Sequence, residues 1–448
     1  MSIDARNHYL ADFARVADAL PGARLPWLGR LRAGALDAFA QKGFPTRHDE
    51  EWKYTSVAAL EQHAFAASAG QRGAVDGAIA AVTAAALQPL TFGDDNIHLL
   101  VFHDGRFAPA LSSAGRLPAG VHLGSFADRL DNAPEALEPW LAGDPEPSPF
   151  GALNTAFMAD GAYLHLRRGT VLEAPVHLLF LSSRAGAASH VRNLIVAEAG
   201  AQATVIEHYA GLDDALYFTN AITQIHAAEN AAVEHHKLQQ EAPGAFHVAG
   251  IHVRQQRDSR LASHSFSLGA ALARNDIATV FEGPGCDATL NGLYLAGGRQ
   301  HVDHHTRIDH RMPNGTSREN YRGVLDGASH GVFNGKVIVH PGAQKTNAFQ
   351  ANHNLLLSTA AEIDTKPQLE IFADDVKCNH GATVGQLDAT QLFYLRSRGV
   401  DERVARNMLV HAFAHDVIER IRVAALRARL EQILLDRLPP VERTGELR

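Results

Sequence analysis

GVFNGKVIVHPG, Gly331 to Gly342, and NAFQANHNLLLS, Asn347 to Ser358, decide the architecture of this chain. In the second, Phe349, Ala351, His353, Leu355 and Leu357 share one face of an extended strand, and Gln350, Asn352 and Asn354 share the other. Both runs end in turn residues. The same design recurs in VRNLIVAEAG, Val191 to Gly200, and in ATLNGLYLAG, Ala288 to Gly297. Small residues follow the turns at Gly200-Ala201, Gly327-Ala328 and Gly342-Ala343, with roughly fifteen to twenty residues between several of them. Many short strands without intervening helices predict a mainly β region over 151–390, built as a sandwich, a barrel or a β-solenoid. Its length and loose repeat favour the solenoid, whose stacked coils bury a continuous core, and leave a large sandwich as the alternative.

The flanks read differently. Residues 1–150 mix helix and strand: Leu10, Phe13, Val16 and Leu20 fall at helical spacing, while IHLLVFHDG, Ile97 to Gly105, reads as a strand and turn. Pro139, Pro145, Pro147 and Pro149 close this region as a linker, because such a run continues neither a helix nor a central strand. Helical spacing returns over 391–448. Asp401 is an N-cap candidate; Val410, Phe413, Val417, Ile421 and Ala424 form one apolar stripe, and Leu426, Leu430, Ile433 and Leu434 a second. These helices either cover the solenoid or dock another subunit.

Composition narrows the function. The 448 residues carry a net charge of −8, which argues against a basic nucleic-acid binder. No apolar window is long enough to span a membrane, and the first 30 residues lack the apolar run of a signal peptide, so the expected compartment is the cytoplasm. Asn314-Gly315-Thr316 then reads as a turn. Two cysteines, Cys286 and Cys378, cannot build a disulfide framework, a four-cysteine zinc site or a complete iron–sulfur site. The 26 histidines are conspicuous beside them.

Most catalytic motifs are absent. Phe333-Asn334-Gly335-Lys336-Val337 is the nearest approach to a phosphate-binding loop, and it lacks the upstream glycine and the following Ser or Thr. Two constellations remain. In HVDHHTRIDH, His301 to His310, one strand face would carry His304, Thr306, Ile308 and His310, and the other Asp303, His305, Arg307 and Asp309. This could supply metal ligands for a β-solenoid hydrolase or lyase, or simply form a hydrogen-bonded ladder between coils. In DDVKCNH, Asp374 to His380, Cys378 and His380 are two apart and point the same way on a strand. A thiolate and an imidazole so placed suit a soft metal or an iron–sulfur species, but two donors leave the site incomplete.

The run from Asn352 to Gly399, NHNLLLSTAAEIDTKPQLEIFADDVKCNHGATVGQLDATQLFYLRSRG, resembles the signature of the SufB/SufD family of iron–sulfur cluster assembly proteins. PTRHDEEWKYT, Pro45 to Thr55, is similar to the N-terminal region of its SufD branch. The resemblance lies closer to SufD than to SufB. His380 is followed by Gly381 where SufB-type sequences resemble HEAT, and Leu395 stands where SufB tends to carry a cysteine.

The resemblance implies a parallel β-helix between helical ends, a non-catalytic scaffold subunit, and a complex with SufB and the ATPase SufC. SufB would pair through the β-helix. SufC would bind the C-terminal helices, where Asp401, Met408, Phe413 and Val417 are the docking candidates. His380, with Cys378, would share iron or a nascent cluster with SufB, and Asp374 and Asp375 would orient the site or merely end a strand. A neutral imidazole there could ligate iron or take up protons released as thiols bind metal. No residue pattern speaks for a flavin. In the absence of SufB, a solenoid with a partner-shaped edge could pair with a second copy of itself.

Overall fold

A computed structural model describes residues 4–68, 82, 84–93, 96–141 and 148–439. Its centre is a β-solenoid of about eight turns. The strands are β1 (Ala66–Ala67), β2 (His98–His103), β3 (Arg106–Phe107), β4 (Val121–Ser125), β5 (Ala162–Leu166), β6 (Val176–Ser182) and β7 (Ala187–Ala197). They continue as β8 (Gln202–Gly211), β9 (Phe218–Ala227), β10 (Ala232–Gln240), β11 (Phe246–Gln255), β12 (Arg260–Ser267) and β13 (Leu272–Phe281). The last are β14 (Asp287–Ala296), β15 (His301–His310), β16 (Thr316–Leu325), β17 (His330–Val339), β18 (Asn347–Leu356), β19 (Glu362–Ile371) and β20 (Lys377–Gly385).

Odd strands stack in one parallel sheet from β19 to β5, and even strands in a second from β20 to β6. One coil is therefore two strands, and equivalent positions recur at about thirty residues, as in Asp287, Thr316, Asn347 and Lys377. The turn spacing read from the sequence marks single strands, half of that repeat. Corners are made by residues that accept a left-handed backbone, among them Asn230, Asp258 and Asn314. Asn314 thus sits in a turn, as its sequence context suggests.

The solenoid core is an apolar column interrupted by buried polar groups. Phe102, Phe180 and Tyr209 stack ring on ring at 4.8 and 4.7 Å, followed by Val205, Ile251, Ile277 and Leu290. On β18 the inward face is the polar one. Gln350, Asn352 and Asn354 are buried in the lumen, Leu355 packs outward, and Phe349 is exposed. Alternation alone reveals two faces without saying which one is inside.

Each outer sheet face has its own cover. The N-terminal helices Ala5–Val16 and Pro26–Lys42, with helix Pro149–Phe157, pack Tyr9, Phe39, Phe44, Trp52, Phe150 and Phe157 toward Phe218 and Phe246 of the first sheet. In the first helix the buried positions are Ala5, Tyr9, Asp12 and Val16, while Leu10 and Phe13 are only partly buried. Asp12 is buried because its carboxylate accepts the Ala67 N–H at 2.7 Å and pairs with Arg15. Of the proline run, Pro139 lies in a short helix and Pro149 starts a longer one; Pro145 and Pro147 lie outside the described residues. On the second sheet, helices Glu402–Ile418 and Ala424–Arg437 bury Val410, Val417, Ile421, Leu426 and Leu430 against Leu238, Phe266 and Leu293. Among the described residues no helix is long and apolar enough to cross a membrane.

Candidate functional site

Stacking in register turns a strand position into a column. On the second sheet one inward column runs His235, Ser263, Leu290, Glu319, Gln350 and His380, from β10 to β20. A neighbouring one runs Ala288, Ser317, Ala348 and Cys378. Cys378 and His380 therefore stand side by side on the inward face of the final coil, with Cα atoms about 6.6 Å apart.

Among the described residues no further coil covers them. His380 is exposed, while Cys378 is half-buried beside Val337, Val339 and Ala348, and burial pushes its thiol up. Around them the chain exposes Phe349, Ile371, Phe372 and Val384. Asp374 and Asp375 occupy the turn between β19 and β20; Asp375 is ion-paired with Lys345, and its backbone N–H donates to Gln344 at 2.9 Å. Asp375 thus holds the corner of the last coil.

Behind His380 the column carries functional-looking groups that the sequence reading missed. Gln350 Nε2 donates to Glu319 at 2.7 Å, and Gln350 Oε1 is buried without a partner. Burial raises the Glu319 carboxyl to about 7, against its hydrogen bond from Gln350. A carboxyl poised near neutrality, one amide away from the exposed imidazole, can hold or release a proton. Deeper in the lumen, Glu207 lies 2.9 Å from His235 and accepts from Thr223 at 2.8 Å, while Lys237 reaches His247 at 2.7 Å. These groups are hydrogen-bonded, as buried charges must be. Only the register of the coils, invisible in one sequence, brings them together.

The 301–310 strand is β15, and it divides as its alternation implies. His304 and His310 point into the lumen, His304 against the rings of Tyr294 and Tyr321 and His310 with Nε2 2.9 Å from Ser317 Oγ. Asp303 and His305 face outward beneath the N-terminal segment. Arg274 donates to Asp303 at 2.8 Å and to the Glu51 carbonyl at 2.7 Å, Thr55 donates to Asp303, and His305 lies 3.3 Å from Glu51. Arg307 pairs with Asp309 on the same face. The outward face is thus a ladder of ion pairs that fastens the PTRHDEEWKYT segment to the solenoid. Among the described residues, three metal-type donors converge elsewhere, at Glu234, His236 and His264.

The four docking candidates separate. Asp401 caps its helix, accepting from the N–H of Arg403 at 2.9 Å. Val417 is fully buried against the solenoid, and the partly buried Phe413 lies under the Arg322 guanidinium, 4.9 Å away, so both hold the helix in place. Met408 is exposed in a groove of about 530 Å³ lined by Val404, His411, Leu435 and Leu438.

Comparison with known proteins agrees with this architecture. Residues 3–178 match the SufBD protein N-terminal region, and residues 180–413 match the SufBD core domain of the SUF system for FeS cluster assembly. A SufBD family iron–sulfur cluster assembly protein of Synechocystis is 35% identical over 90% of this chain and 89% of its own length. The iron–sulfur cluster assembly protein SufD of Escherichia coli is 34% identical over 90% of this chain and 92% of its own. A chloroplastic protein of Arabidopsis thaliana, ABCI7, is 28% identical over 90% and 84%. With family models over both halves and relatives aligned along nearly its whole length, the chain belongs to the SufBD family of iron–sulfur cluster assembly proteins.

Proposed function

We propose that this chain is the SufD-like subunit of a cytoplasmic SufBCD scaffold and that it presents half of an assembly site at the open end of its solenoid. The observation that carries the reading is the uncapped last coil, where Cys378 and His380 stand on the inward face among exposed Phe372 and Val384. SufB pairs there through its own β-helix and contributes the missing donors. Iron, or the nascent cluster, is the cargo of this shared site. The His380 imidazole offers a neutral nitrogen to iron, and Cys378 offers sulfur once its raised thiol has lost its proton. The proton released passes to the solvent that reaches the exposed rim at His380.

SufC, the separate ATPase, docks in the groove at Met408. Helix Ala389–Ser397, with exposed Phe393 and Tyr394, lies between the two interfaces in the chain. The regions 1–150, 151–390 and 391–448 then serve as cover, scaffold and ATPase dock. The chain performs no chemistry of its own in this account.

His380→Ala tests it. The variant should fold and join SufB and SufC normally by size-exclusion light scattering, yet fail to support cluster assembly in cells lacking the native copy. Assembly at the wild-type rate would remove His380 from the mechanism.

A further inference from the structure

Beneath the C-terminal helices, far from the solenoid end, lies a second constellation. Glu234 and His236 are two apart on the outward face of β10, and His264 is the register partner of His236 on β12. One donor atom from each lies within 4.8 Å of the others. The two imidazole rings stack at 5.0 Å and 18°. His236 is fully buried, with neither ring nitrogen in a hydrogen bond. Its Nε2 pairs with Glu234 Oε1 at 3.0 Å, a close contact that is not a well-aligned hydrogen bond. Two lone-pair donors this close, with no well-directed hydrogen between them, are costly in a buried place unless something shares them.

We infer that Glu234, His236 and His264 form a site for a divalent transition-metal ion. Two neutral nitrogens and one carboxylate are a donor set such ions accept, with water or a backbone oxygen completing the shell. Tetrahedral coordination needs donors about 3.3–3.5 Å apart. The Glu234–His236 separation is already near that, and His264 closes by a rotation of its ring. Asn291, next along the ladder, lies 3.3 Å from His264 Nδ1; with its amide oxygen turned toward that nitrogen it would fix the ring and free Nε2 for the ion.

The surroundings permit a cation. Arg420 and Arg422 both act on His264, but Arg420 is engaged by Asp416 at 3.2 Å, and the Arg422 side chain is exposed while its backbone N–H donates to Glu234. That last contact ties the site to the turn between helices Glu402–Ile418 and Ala424–Arg437. A bound ion would brace the root of the helix pair against the sheet. His236 and His380 lie five ladder steps apart, roughly 24 Å, so one ion cannot serve both places.

The test is a titration of the untagged full-length chain with Co2+, read by visible d–d absorption, with thermal melting of the same samples. The wild type should take one Co2+ per chain with a low-coordination spectrum and melt higher with the ion than without it. Glu234→Gln and His264→Gln should each weaken binding at least tenfold and abolish the rise in melting temperature, while a Cys378→Ser/His380→Ala variant should bind as wild type does. Glu234→Gln is nearly isosteric at a partly exposed position, so it reports on the ligand even where His264→Gln folds poorly. Absence of cobalt binding in the wild type, undiminished binding in Glu234→Gln, or loss confined to the Cys378/His380 variant would each overturn the proposal.

Discussion

The two ends of the solenoid are built to opposite rules. At the first, β4 pairs antiparallel with β5, β2 pairs with β6, and the short β3 closes the outer edge of β2. Phe102, Leu164 and Phe180 beneath them are buried. At the last, β19 and β20 each have a neighbour on one side only, and Phe372 is 60% and Val384 49% exposed. An exposed, apolar, parallel strand edge is a liability that a chain working alone would be expected to blunt. One end is therefore finished by the chain's own short antiparallel strands, β3 and β4, and the other keeps full-length parallel strands open, as the proposed pairing with a second chain requires. The two donors of the candidate site stand at the unfinished end.

Mutation should separate the ends most sharply through stability. Phe102→Ala removes a ring from the buried stack at the closed end and should cost about 3–5 kcal/mol in denaturant unfolding. Val384→Ala at the open end should cost less than about 0.5 kcal/mol in the isolated chain. Equal losses would mean that the last coil is packed as tightly as the first.

Glu319, two coils short of the open end, sharpens the contrast between lumen and rim. Its raised carboxyl keeps a proton in the folded chain that the unfolded chain has lost, so stability falls as pH rises from about 4.5 to about 7. Glu319→Gln keeps the acceptor for Gln350 and removes this loss. The variant should gain on the order of 3 kcal/mol over wild type at pH 8 and little at pH 4. Parallel pH profiles for the two proteins would contradict it.

The N-terminal clamp responds in the opposite range. Burial works against charge on His305, but Asp303 and Glu51 hold its pKa up at about 9. A cation raised in this way stabilises fully below the ordinary imidazole range and stops doing so as pH climbs through 9. Limited proteolysis around residues 45–55 should therefore accelerate above that pH in wild type, and should be fast already at pH 7 in His305→Gln. A smaller effect is expected at helix Glu402–Ile418: Asp401→Ala should cost about 1 kcal/mol through its lost N-cap, and chemical denaturation would detect it.

Strand-length alternation, turn residues and the return of helical spacing near Asp401 favoured a β-solenoid between helical flanks over a large sandwich, and the family resemblance decided for it. The resemblance carried by Asn352 to Gly399 pointed to His380 and Cys378. What a single sequence could not show was register. Gln350 and Asn352 look like a solvent face until the coils stack and each polar group meets its neighbour one coil away. The same holds for Glu234, His236 and His264, which are 28 residues apart in sequence between the two histidines yet adjacent in the ladder. Val417 misled for a related reason: an apolar helix stripe announces burial without saying whether sheet or partner provides it.

Hydrogen–deuterium exchange of the full-length chain, with and without SufB, addresses the open end most directly. The account predicts new protection concentrated in Glu362 to Gly385, the strands β19 and β20 around His380, with the closed end at β2 to β5 unchanged. Protection absent from β19 and β20, or gathered at the closed end, would contradict it.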